Sequence, residues 1–569
     1  MYGIAGIVAP SQVSEAQLLT MTASENAANV WLNEKANTGL ASTNANQQYL
    51  HYTIVLDGEL YNTKALYTEL KNLGYMFPIG NDESLVMAAF DQWRERCMEH
   101  LDGAFVFAIY DAKKQEMFLA RDRLGEKQLY YHADFRERGR FAQLLFSSEM
   151  QALWRVGAPK NMDGTMALNY LTLGYTSNPN KKMATFYSDI LSLPAGHYLR
   201  VVPSEGRIQM RCWYRPSYQY NENISETDAL KVFETALKTS VGNRLKTNDN
   251  IGLIGEDNLN NISIEQLIKE KDGNIPRYTQ KNNADYNIEK DFQLFCQLQE
   301  EPIADMETFF QFQNNRNAYQ QKVSVLYDML GADEILGGKD AYVTYYLQYL
   351  LKKDYSLFWK EKQLFQQNGF LPKWKFKNYY SAFATEKTTR SAQNQLVKTQ
   401  VNFPFLNEQF LLRYHNPDIL RQPEIRRPED AMYFDIFTRG IESQLKCKAK
   451  NARAFSLKLR YPFLQYQLVE LLFSLPSHFK FKDGYNQWLL RKYMENHCPQ
   501  NITWQHHKPQ AQPALSIPTE MLQTAIHKLV DAKILRPKIL EIKTENLPLR
   551  QQEQWRIVCL AYFIWRNMV

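Results

Sequence analysis

Cysteine is scarce in this chain of 569 residues, which carries 6, at Cys97, Cys212, Cys296, Cys447, Cys498 and Cys559. No two of them form a C-x-x-C pair, so neither a zinc knuckle nor a disulfide framework is indicated. Buried free thiols in a reducing compartment are the expected state. No apolar run reaches the ~18 residues that a membrane-spanning helix needs. The N-terminal Met1-Tyr2-Gly3-Ile4-Ala5-Gly6-Ile7 lacks the basic region and apolar stretch of a signal peptide. These absences predict a cytoplasmic protein with no membrane partner. Charge of one sign is also lacking. The net charge is +6 and the basic residues are scattered, so no nucleic-acid footprint is expected. Internal repeats and low-complexity tracts are absent.

What is present is an ordinary globular mixture, 44% hydrophobic and 22% charged. At ~150 residues per domain the length allows two to four domains. The first 215 residues read as β-rich. Strands are expected over 3–8, 52–56, 105–110, 117–120, 144–147 and 198–202, with Asp57-Gly58-Glu59 as a turn and 111–114 closing a hairpin. Helices are expected over 63–73, 83–97 and 149–155, giving a sandwich of sheets flanked by helices. A polar segment around 216–226 reads as a linker. A long amphipathic helix over 226–245 follows, with Ala229, Phe233, Leu237 and Val241 on its apolar face. Strands over 250–254 and 323–327, each running into a loop and a helix, argue for a parallel α/β sheet. From about 340 the chain reads as mostly helical.

Nine strings recur in order: Gly3 to Ile7, Asp57 to Asn62, Leu101 to Ala108, Ala120 to Gly125, Phe146 to Glu149, Leu193 to His197, Glu301-Pro302, Gly331 to Glu334 with Gly337-Gly338, and Arg460 to Leu464. The set resembles the glutamine-hydrolysing asparagine synthetase family, with its β-lactam synthetase and lasso-peptide cyclase relatives. The resemblance implies an α+β N-terminal-nucleophile αββα sandwich of the class II glutamine amidotransferase type over 1–215. An α/β ATP-pyrophosphatase (adenine nucleotide α-hydrolase-like) domain with a helical C-terminal part would occupy 216–569. In working members, ammonia released at the first site travels to a second that adenylates a carboxylate.

At the first site the resemblance places a cysteine nucleophile where this chain has Tyr2, a poor nucleophile with a pKa of about 10. Tyr2 is also bulky enough to fill the substrate's place and to prevent removal of Met1. Asp57 stands where the family has an asparagine that helps hold the oxyanion, a donor worth about 2.7–4 kcal/mol of barrier. Gly58 is kept. The arginine that would hold the substrate carboxylate is missing. Asp82 matches the aspartate that holds the substrate amino group, and a helix N-cap is its other reading. Arg121 and Asp122 match positions near the domain interface. They read as a buried ion pair or as part of a channel.

At the second site the family's Ser-Gly-Gly-x-Asp-Ser loop corresponds to Glu256, Asp257, Asn258, Leu259, Asn260 and Asn261. Both glycines, both serines and the magnesium-binding aspartate are gone. Glu256 and Asp257 would each meet a triphosphate at a cost of about 4 kcal/mol at 4 Å, so a surface loop is the better reading. The family's second phosphate loop appears as Asp328 to Glu334, with Gly331 and Asp333 kept. Asp333 could hold Mg²⁺ or cap the next helix. Gln487 stands where the family has a lysine on the transferring phosphate. Lys458 and Gln465 replace two substrate-side acids. Lys508, after His506-His507, could replace a lost cation.

The loss at both sites points to a non-catalytic partner or scaffold that needs no cofactor. An intact homologue or a second copy of the chain would be its partner. The alternative is a residual ligase that joins ammonia or another amine to a carboxylate, with ATP and Mg²⁺ held through Asp333 and Lys508. A third reading is a small-ligand binding module in the old clefts.

Overall fold

The computed structural model describes residues 3–568 apart from 23–28, 36, 43–46, 78–80, 137–139, 247–248, 256–257, 273–276, 279–287, 304, 371–373, 376–377, 380–381, 384–401, 416–422 and 507–516. Among the described residues twelve strands build the first part: β1 (Ile4–Val8), β2 (Asn29–Leu32), β3 (Thr38–Ser42), β4 (Gln47–Tyr49), β5 (Tyr52–Leu60), β6 (Gly103–Asp111), β7 (Glu116–Arg121), β8 (Tyr130–Arg136), β9 (Arg140–Ser147), β10 (Leu191–Ser192), β11 (His197–Val202) and β12 (Arg207–Cys212). They form two antiparallel six-stranded sheets, ordered β10-β8-β9-β1-β3-β2 and β12-β11-β7-β6-β5-β4.

Alternation along the strands explains why both faces of each sheet are covered. In β6, Phe105, Phe107 and Ile109 face one way and Val106, Ala108 and Tyr110 the other, following the period of 2 of an extended chain. The second set meets Ile4, Val8, Leu40 and Phe146 between the sheets. The first set packs under the helices Thr63–Asn72 and Asp82–Trp93 through Leu66, Leu70, Val86 and Phe90. Each such buried side chain contributes about 1.5–3 kcal/mol. On the outer face of the other sheet, Ala5, Ile7 and Leu145 join a core with the helices Met150–Arg155 and Gly164–Leu173. That core also takes Phe295, Phe309, Leu529 and Trp555 from four helices far along the chain. The result is the αββα order expected, with part of one helical layer supplied from beyond residue 288.

Two expectations are corrected here. Asp57-Gly58-Glu59 is not a turn. β5 continues through it to Leu60, paired with β6 from Gly103 to Asp111. Both acids find cations there, and Gly58, at φ +140°, lies so close to β6 that a Cβ would collide with the Ala104 carbonyl. The helix over 83–97 is broken: Asp82–Trp93 ends at Arg94, whose φ is +53°, and a short 3₁₀ turn leads to Cys97–His100. Arg94 is held out of helix by Asp111, 2.9 Å from its Nη1.

Residues 213–225 lead as coil to the helix Glu226–Arg244. Ser225 caps it by accepting from the Asp228 N–H at 3.1 Å, and Ala229, Phe233, Leu237 and Val241 are buried as its periodicity predicts. Then come β13 (Ile251–Ile254), β14 (Arg277–Tyr278), β15 (Val325–Asp328) and β16 (Lys458–Arg460), a parallel sheet ordered β14-β13-β15-β16. Ligands of open parallel sheets bind beyond the strands' carboxyl ends, and the loops leaving β13 and β15 meet there. Among the described residues no helix is long and apolar enough to cross a membrane.

Candidate functional site

Asp57 lies in β5 with its side chain 12% exposed. Its Oδ1 accepts from Lys127 Nζ at 2.9 Å and its Oδ2 from Arg453 Nη2 at 2.9 Å. Arg453 Nη1 donates to Glu149 at 3.0 Å. Burial opposes the charge on Asp57, but the Lys127 ammonium and Arg453 guanidinium outweigh it and hold the carboxyl below its usual range. The carboxylate therefore does not point bare charge into the site, as its sequence position suggests. Both its oxygens are committed to cations. Gly3, Gly58, Ser148 and Tyr61 line the adjoining cavity of about 290 Å³, and Lys450 and Arg453 close it from the second part of the chain. Tyr2 lies outside the described residues.

Three neighbours also differ from their sequence reading. Asp82 is not the cap of its helix. Asn81 is, accepting from the Ser84 N–H at 2.9 Å, while Asp82 accepts from the Leu60 N–H at 3.0 Å at the end of β5. Burial raises the Asp82 carboxyl above its usual range. Arg121 and Asp122 are buried but do not pair with each other. Arg121 Nη1 donates to Glu442 at 2.6 Å, whereas Asp122 accepts the backbone N–H groups of Leu124, Gly125, Glu126 and Lys127. Adjacent residues on β7 and its exit point apart, so each finds its own partner.

The helix Ile441–Arg453 presents its cations to the sandwich and to the parallel sheet. Lys446 meets Glu301 at 2.6 Å, Lys450 meets Glu300 at 2.8 Å, and Lys448 meets Asp328, the first residue of the second loop, at 2.5 Å. Arg460, fully buried, donates from Nε and Nη2 to the two oxygens of Glu59 at 2.7 and 3.1 Å, and from Nη1 to Asp249 at 2.6 Å. None of Lys127, Lys448 or Arg453 was singled out from sequence. Their partners lie 70, 120 and 396 residues away, and no local pattern announces such pairings.

Beyond β13 and β15, three of the substituted or retained positions come together. Asp333 Oδ1 accepts from Asn260 Nδ2 at 3.1 Å and from Gln487 Nε2 at 3.0 Å. Gln487 Nε2 also donates to Asn260 Oδ1 at 3.0 Å, closing a triangle. Gly338 passes against it, and a Cβ there would collide with the Asp333 carboxylate. Asp333 is thus not a helix cap: the helix Ala332–Leu336 starts at Gly331 with no side-chain cap. Asn258 does cap a helix, accepting from the Asn261 N–H at 3.0 Å at the head of Leu259–Asp272. Asn261 is buried beneath Gly255, where a Cβ would come 2.6 Å from its Nδ2. Glu256, Asp257, His507 and Lys508 lie outside the described residues. His506 meets the Phe370 ring edge to face, with centroids 4.2 Å apart, and lies 3.9 Å from Asp340. Among the described residues no three His, Cys, Asp or Glu side chains converge to hold a metal.

Burial, with the Glu334 charge behind it, pushes the Asp333 carboxyl up to about 6. A carboxyl raised in the folded state costs stability wherever it is ionised, above about pH 6, and the cost is gone below its ordinary value of 3.8. Asp333→Asn is therefore expected to raise stability by about 1–2 kcal/mol at pH 8 and to leave it unchanged near pH 4. Urea denaturation at the two pH values measures this. A variant less stable at pH 8 would contradict the assignment.

The two stacked antiparallel sheets, with a parallel sheet after them, define a two-part architecture. A family profile described as a glutamine amidotransferase domain matches residues 1–214, and one described as asparagine synthase matches 279–562. The chain belongs to the asparagine synthetase family. Asparagine synthetase [glutamine-hydrolyzing] 3 of Bacillus subtilis is 24% identical over 474 residues, covering 80% of this chain and 75% of that protein. Asparagine synthetase [glutamine-hydrolyzing] 1 of the same organism is 21% identical over 489 residues, covering 79% and 74%. A solved glutamine phosphoribosylpyrophosphate amidotransferase from B. subtilis aligns with 50% of this chain and 67% of its own at 13% identity, with a TM-score of 0.27.

Proposed function

We propose that this chain is a family member that neither hydrolyses glutamine nor adenylates a carboxylate, and that it serves in the cytoplasm as a non-catalytic partner or scaffold for an intact homologue or a second copy of itself. The observation that carries the reading is the Asn260–Asp333–Gln487 triangle. Magnesium takes octahedral oxygen ligands and is held beside nucleotide phosphates by one or two carboxylates. Here the Asp333 carboxylate accepts two amides at the same oxygen, and the Asn260 oxygen is taken by Gln487. These residues do not fit a magnesium–nucleotide complex. Asp57, locked between Lys127 and Arg453, supports the same reading at the first site. Its oxygens accept hydrogen bonds where an oxyanion needs donors.

Two assays on the full chain test the proposal: glutamate release from glutamine, and pyrophosphate exchange into ATP with aspartate present. Enzymes commonly turn over at about 1–10³ per second. Both rates are expected at the buffer background, below about 10⁻³ per second on that scale. Exchange at an enzymatic rate would favour the residual ligase instead. Sedimentation of the chain alone and mixed with its intact homologue is expected to show a heavier complex in one of the two samples.

A further inference from the structure

A second cavity, about 400 Å³, opens between the sandwich and the segment 433–446, and its lining shares Gln128 alone with the Asp57 cavity. Neither proposed silent site uses it. Five cationic side chains line it, Arg123, Lys182, Arg215, Arg439 and Lys446, against one carboxylate, Glu442. Glu442 is already paired with Arg121 at 2.6 Å, and Lys446 with Glu301 at 2.6 Å. The remaining four are poorly neutralised. Among the described residues Lys182 donates to a backbone carbonyl, that of Phe437, at 2.6 Å. Arg123 stacks 4.0 Å over the Tyr466 ring and donates to main-chain carbonyls. Arg439 reaches Asp435 only at 3.9 Å, and Asp435 already receives Lys339 and the Tyr342 hydroxyl. Arg215 is exposed at the rim.

The local chain geometry fits a built pocket. Asp435–Arg439 is one turn of π-helix, a feature frequent at functional sites, and Gly440 follows it. Tyr433 and Phe437, with ring centroids 4.6 Å apart, supply an apolar wall. Ser177, Asn178 and Ser443 supply small polar groups. Burial is the main cause that holds the His197 imidazole below its usual range; Lys182 and Arg215 add to it, and Glu442 opposes them.

We infer that this cavity binds a phosphate-bearing small molecule, with the anion among Lys182, Arg215 and Arg439 and the rest of the molecule against Tyr433 and Phe437. The volume is in the range of small-molecule sites, about 300–1,000 Å³. Guanidinium forks and a lysine point charge are the usual means of holding phosphate.

Calorimetric titration of the full chain with AMP, inorganic phosphate and adenosine tests this at low ionic strength and at ~0.15 M salt. AMP or phosphate is expected to bind once per chain, more weakly at the higher salt, and adenosine not to bind. Tighter binding of AMP than of phosphate assigns the aromatic wall to a base, and equal binding restricts the ligand to its anion. Lys182→Glu with Arg215→Glu is expected to lower affinity at least tenfold. Both residues are exposed, and circular dichroism checks that the fold survives. Gln487→Ala, in the other site, is expected to leave binding unchanged. No saturable binding of either phosphate compound overturns the inference. So does affinity unmoved by the charge reversal, or lost in Gln487→Ala. None of these outcomes depends on the glutaminase and exchange rates.

Discussion

Arg460→Ala will lower the stability of the whole chain by about 3–5 kcal/mol, the usual cost of leaving a buried charge without its partner. Arg460 has no exposed surface and serves four acceptors: both oxygens of Glu59, one of Asp249, and the Arg244 carbonyl. Glu59 belongs to β5 of the sandwich and Arg460 to β16 of the parallel sheet, so the loss strikes the joint between the two parts. The effect has a pH signature. Burial opposes ionisation of Glu59, but the Arg460 guanidinium overrides it and holds the carboxyl at about 2, against an ordinary 4.5. A depressed carboxyl contributes stability above its unfolded value and loses it as pH falls toward its folded one. The gap between parent and variant should be full at neutral pH and shrink between about 4.5 and about 2. Urea midpoints across that range measure it. A gap that ignores pH would assign the cost to lost packing instead.

Arg453→Ala should cost about 2–4 kcal/mol, and here a second substitution gives the sharper reading. Arg453 bridges Asp57 and Glu149, and Lys127 alone would remain on Asp57. Asp57→Asn alone leaves both cations short of an acceptor and should also destabilise. The double variant removes both ends of the bridge, so its cost should fall short of the sum by at least about 1 kcal/mol. Simple additivity would mean that Asp57 and Arg453 ignore each other in solution. Coupling would establish that the position facing the first site has become a structural bridge across the domain interface.

Much of the sandwich was legible because its strands are long or strongly apolar. β6 reads as strand from Phe105-Val106-Phe107-Ala108-Ile109-Tyr110 alone. β3, Thr-Gly-Leu-Ala-Ser, did not, since small residues carry little periodic signal, yet it is buried throughout between β1 and β2. β16 has three residues and exists because β15 pairs with it. The substituted site positions were legible by their order in the chain, and Asn260, Asp333 and Gln487 do meet. What could not be read was that they satisfy one another. An asparagine amide can donate and accept, so its meaning depends on which neighbours arrive from 73 and 227 residues away.

The helix Gln551–Met568 rests on the helix Gly164–Leu173, and Trp555 shares a core with Ala5 and Ile7 of the first strand. The Ile303 carbonyl accepts from both Tyr170 and Trp555, at 2.7 and 3.2 Å. During synthesis the helical layer over the opening strand, begun by residues 15–22 and 150–173, is therefore completed only when the chain near Trp555 arrives. A fragment ending near residue 215 would leave the outer side of its own helices Met150–Arg155 and Gly164–Leu173 without the later helices that pack on them. Expression of either half alone is thus a poor route to a tractable sample, and chaperones have a long window in which to act.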